Sequence, residues 1–140
     1  MDDNFQLTDI LLRRFENRFY DSKADKILHE AFSLSTDDRN SGYRLSANCL
    51  RILIEDMNVD PIIYTLAEKS SDEYSILSIN IESIVSCETP TGNLTVMLDP
   101  VDDNISHCLI CGYPYDAGPK IRKDIRRVLA NKSSLFENYM

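Results

Sequence analysis

His107-Cys108-Leu109-Ile110-Cys111-Gly112 is the stretch whose residue types and spacing come closest to known chemistry. Cys-x-x-Cys-Gly is half of many zinc knuckles, in which four thiolate or imidazole ligands close around the metal. The other half would be a second close pair, yet Cys49 and Cys87 stand 38 positions apart. The residues between the two near cysteines are Leu and Ile, and the run has the composition of a buried strand. On a strand Cys108 and Cys111 point to opposite faces and cannot share an ion. The same geometry disfavours a redox dithiol, whose cysteines normally sit at a helix start. No metal and no cofactor are expected, and the four cysteines read as reduced, mostly buried thiols.

His107 follows an acidic turn containing Asp99, Asp102 and Asp103. A carboxylate that orients an imidazole prepares it for general acid or base work, and a lone histidine otherwise reads as a satisfied structural residue. Three carboxylates so close repel one another, which favours a cation or a basic partner, although hydrated turn residues explain them equally well. If the chain is a small enzyme acting on RNA or a nucleotide, His107 is its acid or base. Asp99 or Asp38 then completes the cleft, with Arg44 or the terminal helix holding phosphate. A Gly-rich phosphate loop, a Gly-x-Ser-x-Gly elbow and a His-Glu-x-x-His pair are all missing from a sequence with four glycines.

Charge is the second distinctive feature. The net charge of −8 divides unevenly. Residues 1–118 carry 9 basic and 21 acidic side chains, a balance of −12. Residues 119–132 carry Lys120, Arg122, Lys123, Arg126, Arg127 and Lys132 against Asp124 alone, a balance of +5. An acidic body repels nucleic acid at long range, whereas a basic helix attracts an acidic protein partner or part of its own domain. The same charges also suit a solvated helix face.

These residues need elements to position them. At 140 residues the chain has the size of one domain, with residues 1–70 mainly helical and 71–140 a sheet plus a C-terminal helix. Thr8 and Asp9 are expected to cap a helix through Leu11, Leu12, Phe15 and Phe19. A second is expected over 24–32 with Ile27, Leu28, Ala31 and Phe32 on one stripe, followed by a polar loop from Ser33 to Gly42. Ser46 would cap a third over 47–57, with Leu50, Leu53, Ile54 and Met57 inward. Asp60-Pro61 opens a fourth to about Lys69. Tyr74 to Ile79 reads as a strand, and Ile81 to Cys87 as an extended segment or a helical turn. Thr89 to Asn93 is a turn into the strand Leu94–Leu98, which Asp99-Pro100 ends. Ile105 to Cys111 is the last strand, and the final helix starts at Pro119 with Ile121, Ile125, Val128 and Leu129 inward. The class is α+β: N-terminal helices, then a small, mainly antiparallel sheet covered by an amphipathic helix. No segment is apolar for long enough to span a membrane, and the acidic first residues lack the pattern of a secretory signal, so a cytoplasmic protein is expected.

The stretch Leu98-Asp99-Pro100-Val101-Asp102-Asp103-Asn104-Ile105-Ser106-His107-Cys108-Leu109-Ile110 resembles an Asp-Pro-(…)-Asn-Pro-Ala-His-Ala pattern of small uncharacterised bacterial proteins often found near phage-defence genes or mobile elements. Ile105 stands at the pattern's proline, and Ser106 and Cys108 at its alanines. Phe32-x-x-Ser35-x-x-Asp38 followed by Leu45-Ser46 is similar to a polar motif of the same proteins. The resemblance implies that Ser35, Asp38, Ser46, Asp99, Asn104 and His107 converge on one surface.

Three functions follow as expectations. The first is a non-catalytic accessory or interaction protein, a subunit or regulator of a larger bacterial effector, bound through Lys120, Arg122, Lys123, Arg126 and Arg127. The second is the small enzyme built on His107. The third is an acidic antitoxin or immunity-like protein that mimics nucleic acid, whose binding to a basic partner would depend strongly on salt.

Overall fold

Leu45-Ser46-Ala47-Asn48-Cys49 alternates apolar and polar side chains, which is the period of a strand with one face buried and the other open. That strand lies near the middle of a six-stranded sheet, in a computed structural model that describes residues 4–40 and 42–137. In chain order the strands are β1 (Ile10–Glu16), β2 (Tyr20–Asp21), β3 (Lys26–Ile27), β4 (Leu45–Cys49), β5 (Tyr74–Asn80), β6 (Glu88–Thr89), β7 (Gly92–Asn93), β8 (Thr95–Leu98), β9 (His107–Cys111) and β10 (Ser134–Leu135). The α-helices are α1 (Thr36–Asn40), α2 (Pro61–Leu66), α3 (Ile81–Val85) and α4 (Pro119–Asn131). A 3-10 turn spans His29–Phe32 and a π-helical turn spans Ile52–Asp56.

The main sheet runs β10-β5-β1-β4-β9-β8 with every pairing antiparallel, and β2–β3 and β6–β7 form two small hairpins. The α+β class and the C-terminal helix are therefore present. The N-terminal helices are not. Where a helix was expected through Leu11, Leu12, Phe15 and Phe19, the chain forms β1, with Leu11 paired to Ile79 of β5 and Cys49 of β4. The reason is that β1 is covered on both faces. Leu11 and Phe15 enter the main core and Leu12 a smaller one, so the buried set no longer alternates and also fits a helix. The helix expected over 24–32 is instead β3 followed by the 3-10 turn, which still buries Ile27, Ala31 and Phe32. Ser46 caps no helix, because it lies inside β4. Only the π-helical turn remains of the element expected over 47–57. Of the polar loop expected from Ser33 to Gly42, residues 36–40 form α1, and Ser41 lies outside the described residues.

The two faces of the sheet differ. One carries Leu11, Phe15, Leu45, Ala47, Cys49, Leu77, Ile79, Val96, Cys108 and Ile110, joined in the main core by Phe32, Ile81 and Ile84 and by Ile125, Leu129 and Ala130 of α4. The other carries a smaller cluster of Leu12, Leu53 and Ile76, with Ile62, Tyr64 and Leu66 of α2 against it. Asp60 starts α2 by accepting from the backbone N–H of Ile62 and Ile63 through Oδ1, at 2.9 and 3.0 Å, with Pro61 at the first helical position. Ala67, in the left-handed region at φ 51°, ends it after six residues. Because α2 is short, much of the second face is left uncovered. Among the described residues no helix is long and apolar enough to cross a membrane.

Candidate functional site

A groove of about 1230 Å³ occupies this uncovered area. Its floor crosses β1, β4 and β9 through Arg14, Ser46, Asn48 and His107, and its walls are residues 63–69 on one side and the 30–36 segment on the other. Register explains the juxtaposition. Asn48 is the Cα partner of both Leu12 and His107, so the even-numbered positions of β1 and β4 and the odd-numbered positions of β9 share this face.

Val101 and Asn104 bridge to form a tight turn with Asp102 and Asp103 exposed at its tip. The Asn104 carboxamide then turns back over the sheet. Its Oδ1 accepts from the backbone N–H and hydroxyl of the fully buried Ser106, and its Nδ2 donates to Asn48 Oδ1 at 2.9 Å. Asn48 Nδ2 in turn donates to Thr65 Oγ1 of α2 at 3.2 Å. The result is a continuous chain of hydrogen bonds across the floor, in which each amide's orientation is dictated by its neighbours. Tyr64 Oη donates to the Asp103 carbonyl at 2.6 Å and ties α2 to the turn.

His107 lies half-buried at one end of this chain. Its Nδ1 is 2.9 Å from the Asp99 carbonyl and 3.2 Å from the Asp99 carboxylate. A carbonyl can only accept, so Nδ1 carries the proton, and in the neutral ring Nε2 is left with a lone pair. Among the described residues no hydrogen bond reaches Nε2, and the ring lines the groove.

The other polar residues singled out from the sequence meet elsewhere. Ser35 and Asp38 form a capping box at the start of α1. The Ser35 N–H donates to Asp38 Oδ2 at 2.9 Å and the Asp38 N–H to Ser35 Oγ at 3.1 Å. Asp38 Oδ1 also accepts from the Ser46 N–H, and Oδ2 accepts from Arg13 at 3.0 Å. Arg13, which the sequence reading passed over, is 7% exposed and Asp38 0%. Three further guanidinium N–H groups donate to the carbonyls of Ala31, Ser33 and Ser46. Burial alone would raise the Asp38 pKa, but the Arg13 charge and hydrogen bond and the N–H groups of Ser35 and Ser46 hold it below the ordinary value. Arginine in the apolar run Ile10–Phe15 and the spacing Ser35-x-x-Asp38 were the available signals.

Ser35, Ser46, Asn104 and His107 therefore border the groove, whereas Asp38 sits in a knot behind it and Asp99 supports His107 from the rear. Arg44 is exposed and precedes Leu45, which pairs with Ile110, so it lies near Cys111 at the far end of β9 from His107. That is about 13 Å along a strand, and Arg44 does not line the groove. The cations that do are Arg13, Arg14 and Lys69; Arg14 Nη1 donates to the Leu66 carbonyl while its guanidinium lies 5.7 Å from the Tyr74 ring centroid. Asn48, Tyr64 and Thr65 are also lining residues that sequence reading missed. For Asn48 the alternation of β4 was the available signal.

No family model, curated protein or solved structure matches this chain. Its chemistry is therefore read from its own residues. All four cysteines are free thiols, with Cys108 in the main core and Cys111 half-buried on the opposite face. Burial raises the pKa of each, of Cys108 most. Among the described residues no group of three or more His, Cys, Asp or Glu could hold a metal ion.

On α4 the basic residues divide. Arg126 turns inward, donating from Nη1 to Tyr113 Oη at 2.8 Å and from Nε to His29 Nδ1 at 3.3 Å. Arg122 buries its Nε. Lys120, Arg127 and Lys132 are exposed and Lys123 is half-buried. Ile121 and Val128, expected in the core, are 40% and 37% exposed. Ile125, Leu129 and Ala130 fill the space they would have occupied.

Proposed function

We propose that this chain is a non-catalytic interaction protein, a subunit or regulator of a larger bacterial effector, that receives a segment of its partner in the groove between α2 and the 30–36 segment. The observation that carries the reading is the groove itself. At about 1230 Å³ it exceeds the roughly 300–1,000 Å³ of ordinary small-molecule sites, and its lining mixes apolar Leu12, Phe19, Leu34 and Ile63 with Ser46, Asn48 and His107. A partner segment presents both kinds of surface. The rigid amide chain below it gives fixed hydrogen-bonding positions without reorganisation, which lowers the ordering cost of binding.

The test is affinity purification from the native host with the wild-type chain and with Ser46→Tyr and Ile63→Asp, which fill or charge the groove at partly or fully exposed positions. A defined partner retained by the wild type and lost by both folded variants is the expected result. Retention by both variants overturns the reading.

A second reading has one observation in its favour. His107 has Nδ1–H held by Asp99 and Nε2 at the groove, which is the arrangement of a general base. Turnover of RNA or a nucleotide by the purified protein, abolished in His107→Ala, would replace the interaction reading with this one.

A further inference from the structure

We infer that the outward face of α4 is a docking seam for an acidic amphipathic helix of a partner protein. The inference rests on the interaction reading and names the partner's chemistry. Ile121 and Val128 are seven residues apart, so they lie within about 20° of one axial line and about 10 Å apart along it. Lys120 and Arg127 form a parallel row, one residue earlier at each turn of the repeat. Asp124 and Asn131 fall between them, and Lys132 follows Val128 by one turn. All seven of these side chains are exposed.

In heptad terms this is a short seam with β-branched residues at the a positions, Asp124 and Asn131 at the d positions and cations at the g positions, where Arg127 lies 4.0 Å from Asp124. The helix does not need this face for its own folding, because Ile125, Leu129 and Ala130 anchor it to the core and Arg126 ties it to Tyr113 and His29. A second copy of α4 is a poor occupant. In an antiparallel pair Lys120 and Arg127 would meet their own kind, and in a parallel pair Arg127 would meet Lys132. Glutamates on a partner helix meet the same row with opposite sign. The body, at −12 over residues 1–118, repels such a helix from the rest of the surface and so directs it to α4.

The experiment uses the full chain and a fluorescein-labelled peptide of three heptads, with Ile and Leu at its a and d positions and Glu at e and g. Anisotropy should show binding that weakens with salt, and that weakens by roughly tenfold or more, about 1.4 kcal/mol, in both K120E/R127E and I121S/V128S. The groove variants should bind it as the wild type does. All substituted positions on α4 are exposed, and thermal melts of the variants confirm that they fold. Equal binding of a peptide with Lys in place of Glu, or failure of the Glu peptide to bind, overturns the inference. Dimerisation of the wild type that K120E/R127E abolishes assigns the seam to a second copy and overturns it as well. Native-partner capture that survives K120E/R127E but not the groove variants overturns the seam and leaves the interaction reading intact. Peptide binding with no partner captured from the host overturns the interaction reading and the partner assignment with it.

Discussion

Two polar clusters flank β4. On one side Arg13 and Asp38 are buried, and their hydrogen bonds to the carbonyls of Ala31, Ser33 and Ser46 and the N–H groups of Ser35 and Ser46 lie wholly within the chain. On the other, Asn48, Asn104 and His107 are only partly buried, and His107 borders the groove. A buried charge must be compensated or it costs several kcal/mol, and in the first cluster Arg13 and Asp38 compensate each other at 3.0 Å even though Arg13 also borders the groove. The second leaves His107 Nε2 without a hydrogen bond among the described residues, at a half-buried position. Both clusters draw on residues that the sequence singled out for one surface, but only the first joins a fully buried carboxylate to a buried arginine.

The largest effect expected from this contrast is on stability. Asp38→Ala leaves Arg13 buried without its counter-charge and should lower unfolding free energy by about 3–5 kcal/mol in urea titrations. A smaller loss than His107→Ala produces would break the contrast. Acidification should act on the same side. Asp38 and Asp9 titrate below their ordinary 3.8, Asp9 chiefly because Arg51 donates to it. Their stabilisation is full above that value and is lost as pH falls through the lower folded values. His29 titrates below its ordinary 6.5 because it is partly buried and faces Arg126, Lys123 and Arg127, against the opposing pull of Glu30. Its contribution is full above pH 6.5 and is lost as pH falls through its lower folded value, where the proton on Nδ1 ends the bond from Arg126. Urea midpoints followed downward in pH should therefore fall, and Arg126→Leu should remove only a part of the share due to His29, since burial is the larger cause.

Asn104→Ala should cost about 1–3 kcal/mol, because Ser106 is buried and loses its acceptor. It should also loosen Asn48, which hydrogen exchange in β4 and α2 would register. His107→Ala should have the smallest effect on folding, about 1 kcal/mol or less, since it removes one hydrogen bond at a half-buried site. A large stability loss there, with no effect on binding, would make His107 structural and reduce the groove to a surface feature.

The polar residues were more legible than the elements that carry them. Ser35, Asp38, Ser46, Asn104 and His107 all make defined interactions, but Ser46 lies in a strand rather than at a helix start. Arg13 and Asn48 were passed over because each draws its meaning from a partner many positions away, Asp38 for one and Asn104 for the other. Arg44 was a reasonable phosphate ligand by type and is misplaced by register, since β4 and β9 run antiparallel and carry it away from His107.

Local signals in the sequence determined α2, α4, β5, β8 and the turn at 89–93: a capping Asp before proline, a proline at a helix start, an alternating run and a Thr-Pro-Thr-Gly break. These features depend on neighbours within a few residues, which the sequence contains. Only the tertiary structure decided that β1 is a strand, that Arg13 is buried beside Asp38, and that Asn48 meets His107. Leu11, Leu12 and Phe15 fit a helix face and a strand buried on both sides equally well. The choice between them was made by β5 and β4, whose backbone groups pair with β1 on either side.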